Sequence, residues 1–145
     1  MKYSIKKLKD ISVNVKGEYG IGASAVTYSH NLPTYLRITD INEDGTLDYP
    51  NMKSLNDINY KKYILFDNDI VFARTGNSTG KNYYYDSADG ELVYAGFLIK
   101  FSLDPDKVVP KYIKYYCMSN SYWGWVNGFS TGSTRGNINA KPMEI

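Results

Sequence analysis

An α+β fold in one domain is what the sequence predicts, on three observations. Short β-branched and aromatic runs alternate apolar and polar residues, as half-buried strands do. Helical spacing is confined to brief stretches, one near the start and two near the end. Polar loops of Gly, Ser and Thr fall directly after strands, so they protrude from a mixed, mostly antiparallel framework.

In chain order, residues 3–15 mix lysines with Ile5, Leu8, Ile11 and Val13. Leu8 and Ile11 lie three apart, which predicts a short helix before an extended exit. Gly17, Gly20 and Gly22 make residues 16–25 a loop. Residues 35–41 (YLRITDI) read as a half-buried strand, and residues 42–45 (NEDG) carry turn chemistry. Residues 60–66 are amphipathic and lead into a turn at 67–69. Residues 69–75 (DIVFART) are the best strand in the chain and run into the loop 76–80. A short strand at 83–85 and a turn at 86–90 follow. Residues 92–103 read as one long strand, bent or bulged at Gly96. Pro110 suits a first helical turn, and Ile113, Tyr116 and Cys117 mark that helix's inner face. A second helix over 122–129 is expected to end near Gly128. Residues 130–136 (STGSTRG) are a polar loop, and 138–145 are extended around Pro142.

A chain of 145 residues buries roughly 68–70% of its unfolded surface, so it needs no disulfide or metal to hold a core. Cys117 is the only cysteine and His30 the only histidine, which excludes disulfides within the chain and His-pair metal sites. No nucleophile elbow accompanies His30. No apolar run approaches the roughly 18–20 residues of a membrane span, and the basic start is followed by no apolar signal-peptide segment. A cytoplasmic protein without a membrane partner is expected. The net charge is only +2, but it is unevenly spread. Lys2, Lys6, Lys7, Lys9 and Lys16 face only Asp10 at the start; the middle, from Asp40 to Asp69, is acidic; the balance turns positive from Arg74. Tyrosine, at 15 residues, supplies apolar area with a polar tip, which suits interfaces.

Residues 76–81 (GNSTGK) invite a phosphate-loop reading, but the spacing fails. A nucleotide-binding loop needs four residues between its glycines and a Ser or Thr after the lysine; here three intervene and Asn82 follows. The loop still offers small hydroxyls and open backbone between Arg74 and Lys81, chemistry that suits a phosphate or a base edge. The loop 130–139 repeats it, with Arg135 suited to guanine and Asn137 to adenine. Signatures of catalysis are missing: no Asn- or Asp-Pro-Pro-Tyr motif, no glycine-rich loop for S-adenosylmethionine, and no acidic residue followed by Glu-x-Lys. Asp67 and Asp69 read as turn formers rather than metal ligands.

Seven segments in order carry a resemblance to a known family. They are residues 7–11, the loop 19–25 (YGIGASA), 35–41, 69–81 (DIVFARTGNSTGK), 93–99 (VYAGFLI), the helix from Pro110, and 130–138 (STGSTRGNI). Together they resemble the target recognition domain of type I restriction–modification specificity subunits, and they span nearly the whole chain. The runs 69–81 and 130–134 are the most specific. The resemblance implies a DNA methylase specificity-like domain over 1–145. It implies double-stranded DNA read in the major groove as half of a bipartite site, with no cofactor and no catalysis in this chain. Modification subunits would methylate adenine, and restriction subunits would cut. The family continues beyond a segment like 141–145 into a long spacer helix and a second recognition domain. Neither is present here, so a truncated product or an excised fragment, monomeric or homodimeric, is expected.

The DNA-contacting residues expected on this reading fall into two loops. The first holds Arg74, Thr75, Asn77, Ser78, Thr79 and Lys81; the second holds Thr131, Ser133, Thr134, Arg135 and Asn137. Arg37 and Thr39 are further candidates, with Arg37 equally able to pair structurally with Asp40 or Asp69. The competing expectation is an interaction module, inhibitor or remnant that binds modification or restriction subunits without reading DNA. A standalone nuclease or methyltransferase is the third, and no motif favours it.

Overall fold

The computed structural model describes residues 7–14, 16–74 and 78–131, with backbone only for 129–131. Two four-stranded sheets and two helices make an α+β architecture. The strands are β1 (Glu18–Tyr19), β2 (Ala25–Val26), β3 (Thr34–Leu36), β4 (Lys53–Leu55), β5 (Asp69–Ala73), β6 (Asn82–Tyr84), β7 (Leu92–Tyr94) and β8 (Leu98–Ser102). The helices are α1 (Pro110–Tyr116) and α2 (Asn120–Thr131). The first sheet has the order β1-β8-β5-β6 and is antiparallel throughout. The second has the order β2-β4-β3-β7, with β3 and β7 parallel.

β5 explains the layering. All five of its residues are buried, because alternate side chains serve different cores. Ile70 and Phe72 join Ile99, Phe101, Ile113, Tyr122 and Val126 under the helices. Val71 and Ala73 join Leu36, Leu92, Tyr94 and Leu98 between the sheets. A third cluster, with Tyr35, Leu55 and Val93, lies on the outer face of the second sheet. The expected N-terminal helix is one 3-10 turn, Leu8–Ile11, whose Leu8 and Ile11 enter the helix-side core.

Several local expectations are corrected. The strand expected over 35–41 stops at Leu36, and a 3-10 turn, Ile38–Asp40, replaces its second half. The cause is the buried Asp40 carboxylate: it accepts from the Arg37 backbone N–H at 2.9 Å and from the Arg37 guanidinium at 3.0 and 2.9 Å. That local bond offers the backbone an alternative to the ladder. The long strand 92–103 is two strands in different sheets, joined by a turn at Ala95, Gly96 and Phe97. Both halves are buried, so no change in hydrophobicity marks the corner; only Gly96 does. The glycine loop 16–25 contains β1, which pairs with β8. α2 does not end near Gly128 but runs to Thr131, so Ser130 and Thr131 begin no loop. A glycine costs a helix about 1 kcal/mol, which burial of Tyr122 and Val126 offsets. The stretch 138–145 lies outside the described residues.

No helix among the described residues is long and apolar enough to cross a membrane. Cys117 is buried and its thiol is pushed up by that burial, which suppresses the reactive thiolate.

Candidate nucleic-acid interface

Strand direction brings the exits of β1 and β5, with the described part of the first predicted loop, to one end of the molecule. β1 and β5 end there, and β6 and β8 begin there, as their registers require. The parallel pair β3 and β7 also ends there, since β7 turns directly into β8. Backbone bonds tie the two sheets at this end: the Gly20 N–H donates to the Leu98 carbonyl at 3.2 Å and the Ile21 N–H to the Tyr94 carbonyl at 3.0 Å. Gly20 is required, because a Cβ there would lie 2.1 Å from the Ala95 carbonyl oxygen.

Arg74 is the first residue past β5. Its guanidinium carbon sits 4.6 Å from the centre of the Tyr19 ring. A ring face at that distance attracts a cation while leaving its in-plane N–H groups for other acceptors. The Arg74 Nε is buried and has no hydrogen-bond partner among the described residues.

The loop beyond Arg74 has a rigid neck. The Gly80 N–H donates to the Ala73 carbonyl at 2.9 Å, and the Ala73 N–H to the Lys81 carbonyl at 2.8 Å. The Gly80 carbonyl accepts from the Tyr122 hydroxyl at 2.6 Å and from Asn82 Nδ2 at 3.1 Å. Asn82 Nδ2 also reaches the Cys117 carbonyl at 3.3 Å, which ties the neck to the end of α1. Gly80 has φ +94, and a Cβ there would lie 2.7 Å from Val126 Cγ1. Only glycine meets both conditions. Ser78, Thr79 and Lys81 then line a cleft of about 300 Å³ with Glu43 and Trp123.

A larger groove, about 810 Å³, lies alongside at the same end. The backbone of residues 21–25, the turn 95–97, Tyr35, Arg37 and Thr39 border it. The one proton of the buried Tyr35 hydroxyl is shared between two acceptors, the carbonyls of Ala23 at 2.7 Å and Ile21 at 2.9 Å, so it braces the groove wall.

No family model matches this sequence, and no curated protein matches it. The chemistry of the site is therefore read from its own residues.

Arg74, Ser78, Thr79 and Lys81 are brought together at the end of the first sheet. Arg37 and Thr39 lie on the groove of the second, and Thr39 is exposed. Arg37 is largely committed to Asp40, with a further bond from Nη2 to the Asn51 carbonyl at 3.2 Å. Its structural partner is Asp40 and not Asp69, whose carboxylate accepts instead from Ser102 Oγ at 2.6 Å and the Phe66 N–H at 2.8 Å. Burial pushes the Asp69 carboxyl upward, a raise opposed by those bonds. Thr75 and Asn77, and in the second loop Ser133, Thr134, Arg135 and Asn137, lie outside the described residues. Thr131 is the last residue of α2 rather than a loop residue.

Sequence reasoning missed Tyr19, Glu43, Phe97 and Trp123. Tyr19 and Phe97 had a signal, since each flanks a glycine loop. Glu43 and Trp123 had none, because only folding carries them to residues 78–81.

Proposed function

We propose that this chain is a double-stranded DNA recognition module, folded like the DNA methylase specificity domains of type I restriction–modification systems. It reads half of a bipartite site and directs partner modification and restriction subunits, with no catalysis of its own. The observation that carries this reading is the convergence, at one end of the first sheet, of Arg74 on its aromatic platform with Lys81 and the Ser78 hydroxyl; Thr79, also expected there, is buried. A lysine beside a small hydroxyl suits phosphate, and a guanidinium held by its ring face keeps its edge for guanine. Glu43, in the same cleft, suits the amino group of cytosine.

Selection from a randomised duplex pool at low salt tests the reading. We expect a short enriched motif, with Arg74→Ala relaxing one position of it at a cost of about 1–3 kcal/mol. A folded protein that enriches no motif would sink the reading.

A second reading draws on a different surface. Val109, Tyr112, Tyr115 and Met118 are spaced three apart along α1 and its flanks, and each is more than half exposed. An apolar stripe of that kind suits a protein contact. It favours an interaction module or inhibitor that grips a modification or restriction subunit. Copurification with such a subunit, abolished by Tyr112→Glu and unaccompanied by DNA selection, would establish it.

A further inference from the structure

We propose that the groove beneath Phe97 receives the 5-methyl edge of a thymine in the DNA major groove, an inference that rests on the DNA-recognition reading above. Phe97 is 64% exposed at the tip of the turn between β7 and β8 and belongs to none of the three hydrophobic clusters. An exposed ring at a turn tip does nothing for folding, yet its backbone is held firmly. The Ala95 N–H donates to the Leu36 carbonyl at 2.9 Å, and the Leu98 N–H to the Ala95 carbonyl at 3.0 Å.

The groove of about 810 Å³ is wide enough for the edge of a base pair, and small side chains line it: Ala23, Ala25, Thr39 and Ala95, with Gly96 and Phe97. Alanine, the threonine methyl and phenylalanine are the groups that make apolar contact with a thymine methyl. The turn packs against the loop after β1, since a Cβ at Gly96 would sit in ordinary contact with the Ile21 carbonyl at 3.4 Å.

The lining narrows the occupant. Among the described residues no carboxylate lines the groove, and Arg37, its one ionic residue, is paired with Asp40, so the slot is close to neutral. Leu98, next to Phe97, pairs with Ala73, so Arg74, the next residue of that strand's exit, lies beside the turn. An apolar slot beside the Arg74 guanidinium fits a polyanion that exposes methyl groups, which describes the thymine-bearing major groove.

The test replaces each thymine of the selected half-site, one at a time, with deoxyuridine, which lacks only the methyl. Affinity of the full chain is measured by fluorescence anisotropy at fixed salt. One position should weaken about four-fold, the worth of one buried methyl. Phe97→Ala should bind dT and dU duplexes equally there, with an unchanged salt slope. The deoxyuridine scan on the unaltered protein needs no variant to fold. A half-site without thymine, a scan with no sensitive position, or a dU effect that survives Phe97→Ala would each overturn the inference and leave DNA recognition standing. No enriched motif at all would overturn both.

Discussion

Arg74 and Tyr19 act as a pair, and their separation along the chain hides it. The ring restricts the guanidinium's rotation and holds it without consuming its edge. Tyr19→Ala should therefore reproduce part of the Arg74→Ala phenotype, a two- to five-fold loss confined to the same base position, corresponding to about 0.5–1 kcal/mol. Tyr19→Phe keeps the ring face and should bind as the unaltered protein does. A loss equal for Phe and Ala would show that the hydroxyl, not the ring, matters. Arg37 makes the opposite case. Its removal leaves the Asp40 carboxylate, 1% exposed, without its main partner. Arg37→Ala should lower stability by about 1–3 kcal/mol in denaturant melts while leaving the selected DNA motif unchanged. A changed motif at full stability would restore Arg37 as a reader of bases.

At the scale of elements, the neck of the 74–81 loop decides how well its side chains are aimed. Tyr122→Phe removes one bond to the Gly80 carbonyl, 42 residues away in sequence. The change should cost about 1 kcal/mol of stability and weaken DNA binding evenly across sequences, as a blurred loop would. Gly80→Ala is harsher: it forces a side chain to φ +94 and into Val126. A loss of about 1–3 kcal/mol is expected, read from the shift in the urea midpoint. The elements legible in the sequence were those whose pattern serves one environment. β5 stood out because burial on both faces leaves an unbroken apolar run, and α1 because Pro110 opens it. Residues 35–41 misled because the pairing of Asp40 with Arg37, which breaks the strand, leaves no mark in the pattern beyond one polar residue on the face of Leu36 and Ile38. The β7–β8 corner misled because the chain passes from one buried sheet to another. The site was legible only in part for the same reason: loop composition shows in sequence, whereas Trp123 and Glu43 meet the loop through the fold.

The whole molecule stacks helices, one sheet, then another, and tyrosines fill the seams. Tyr94, Tyr122 and Tyr83 are almost completely buried. Burial raises all three phenols, and Tyr83 is pushed up to about 12. The unfolded chain exposes them, so there they lose their protons near pH 10. Above that point the unfolded state binds fewer protons than the folded one. Stability then falls as pH rises, by up to about 1.4 kcal/mol per pH unit for each such tyrosine. The loss should begin near pH 10 and, for Tyr83, continue until the folded phenol itself ionises near pH 12. An alkaline melt series followed by circular dichroism, with phenolate absorbance recorded in parallel, checks this. The exposed tyrosines add phenolate independently of unfolding, so the reading is the absorbance lost in Tyr94→Phe, which should rise together with unfolding because that ring is fully buried. That Tyr94 share appearing with the circular dichroism intact would mean that this seam admits solvent, and would refute the packing on which the rigid aim of the loops depends.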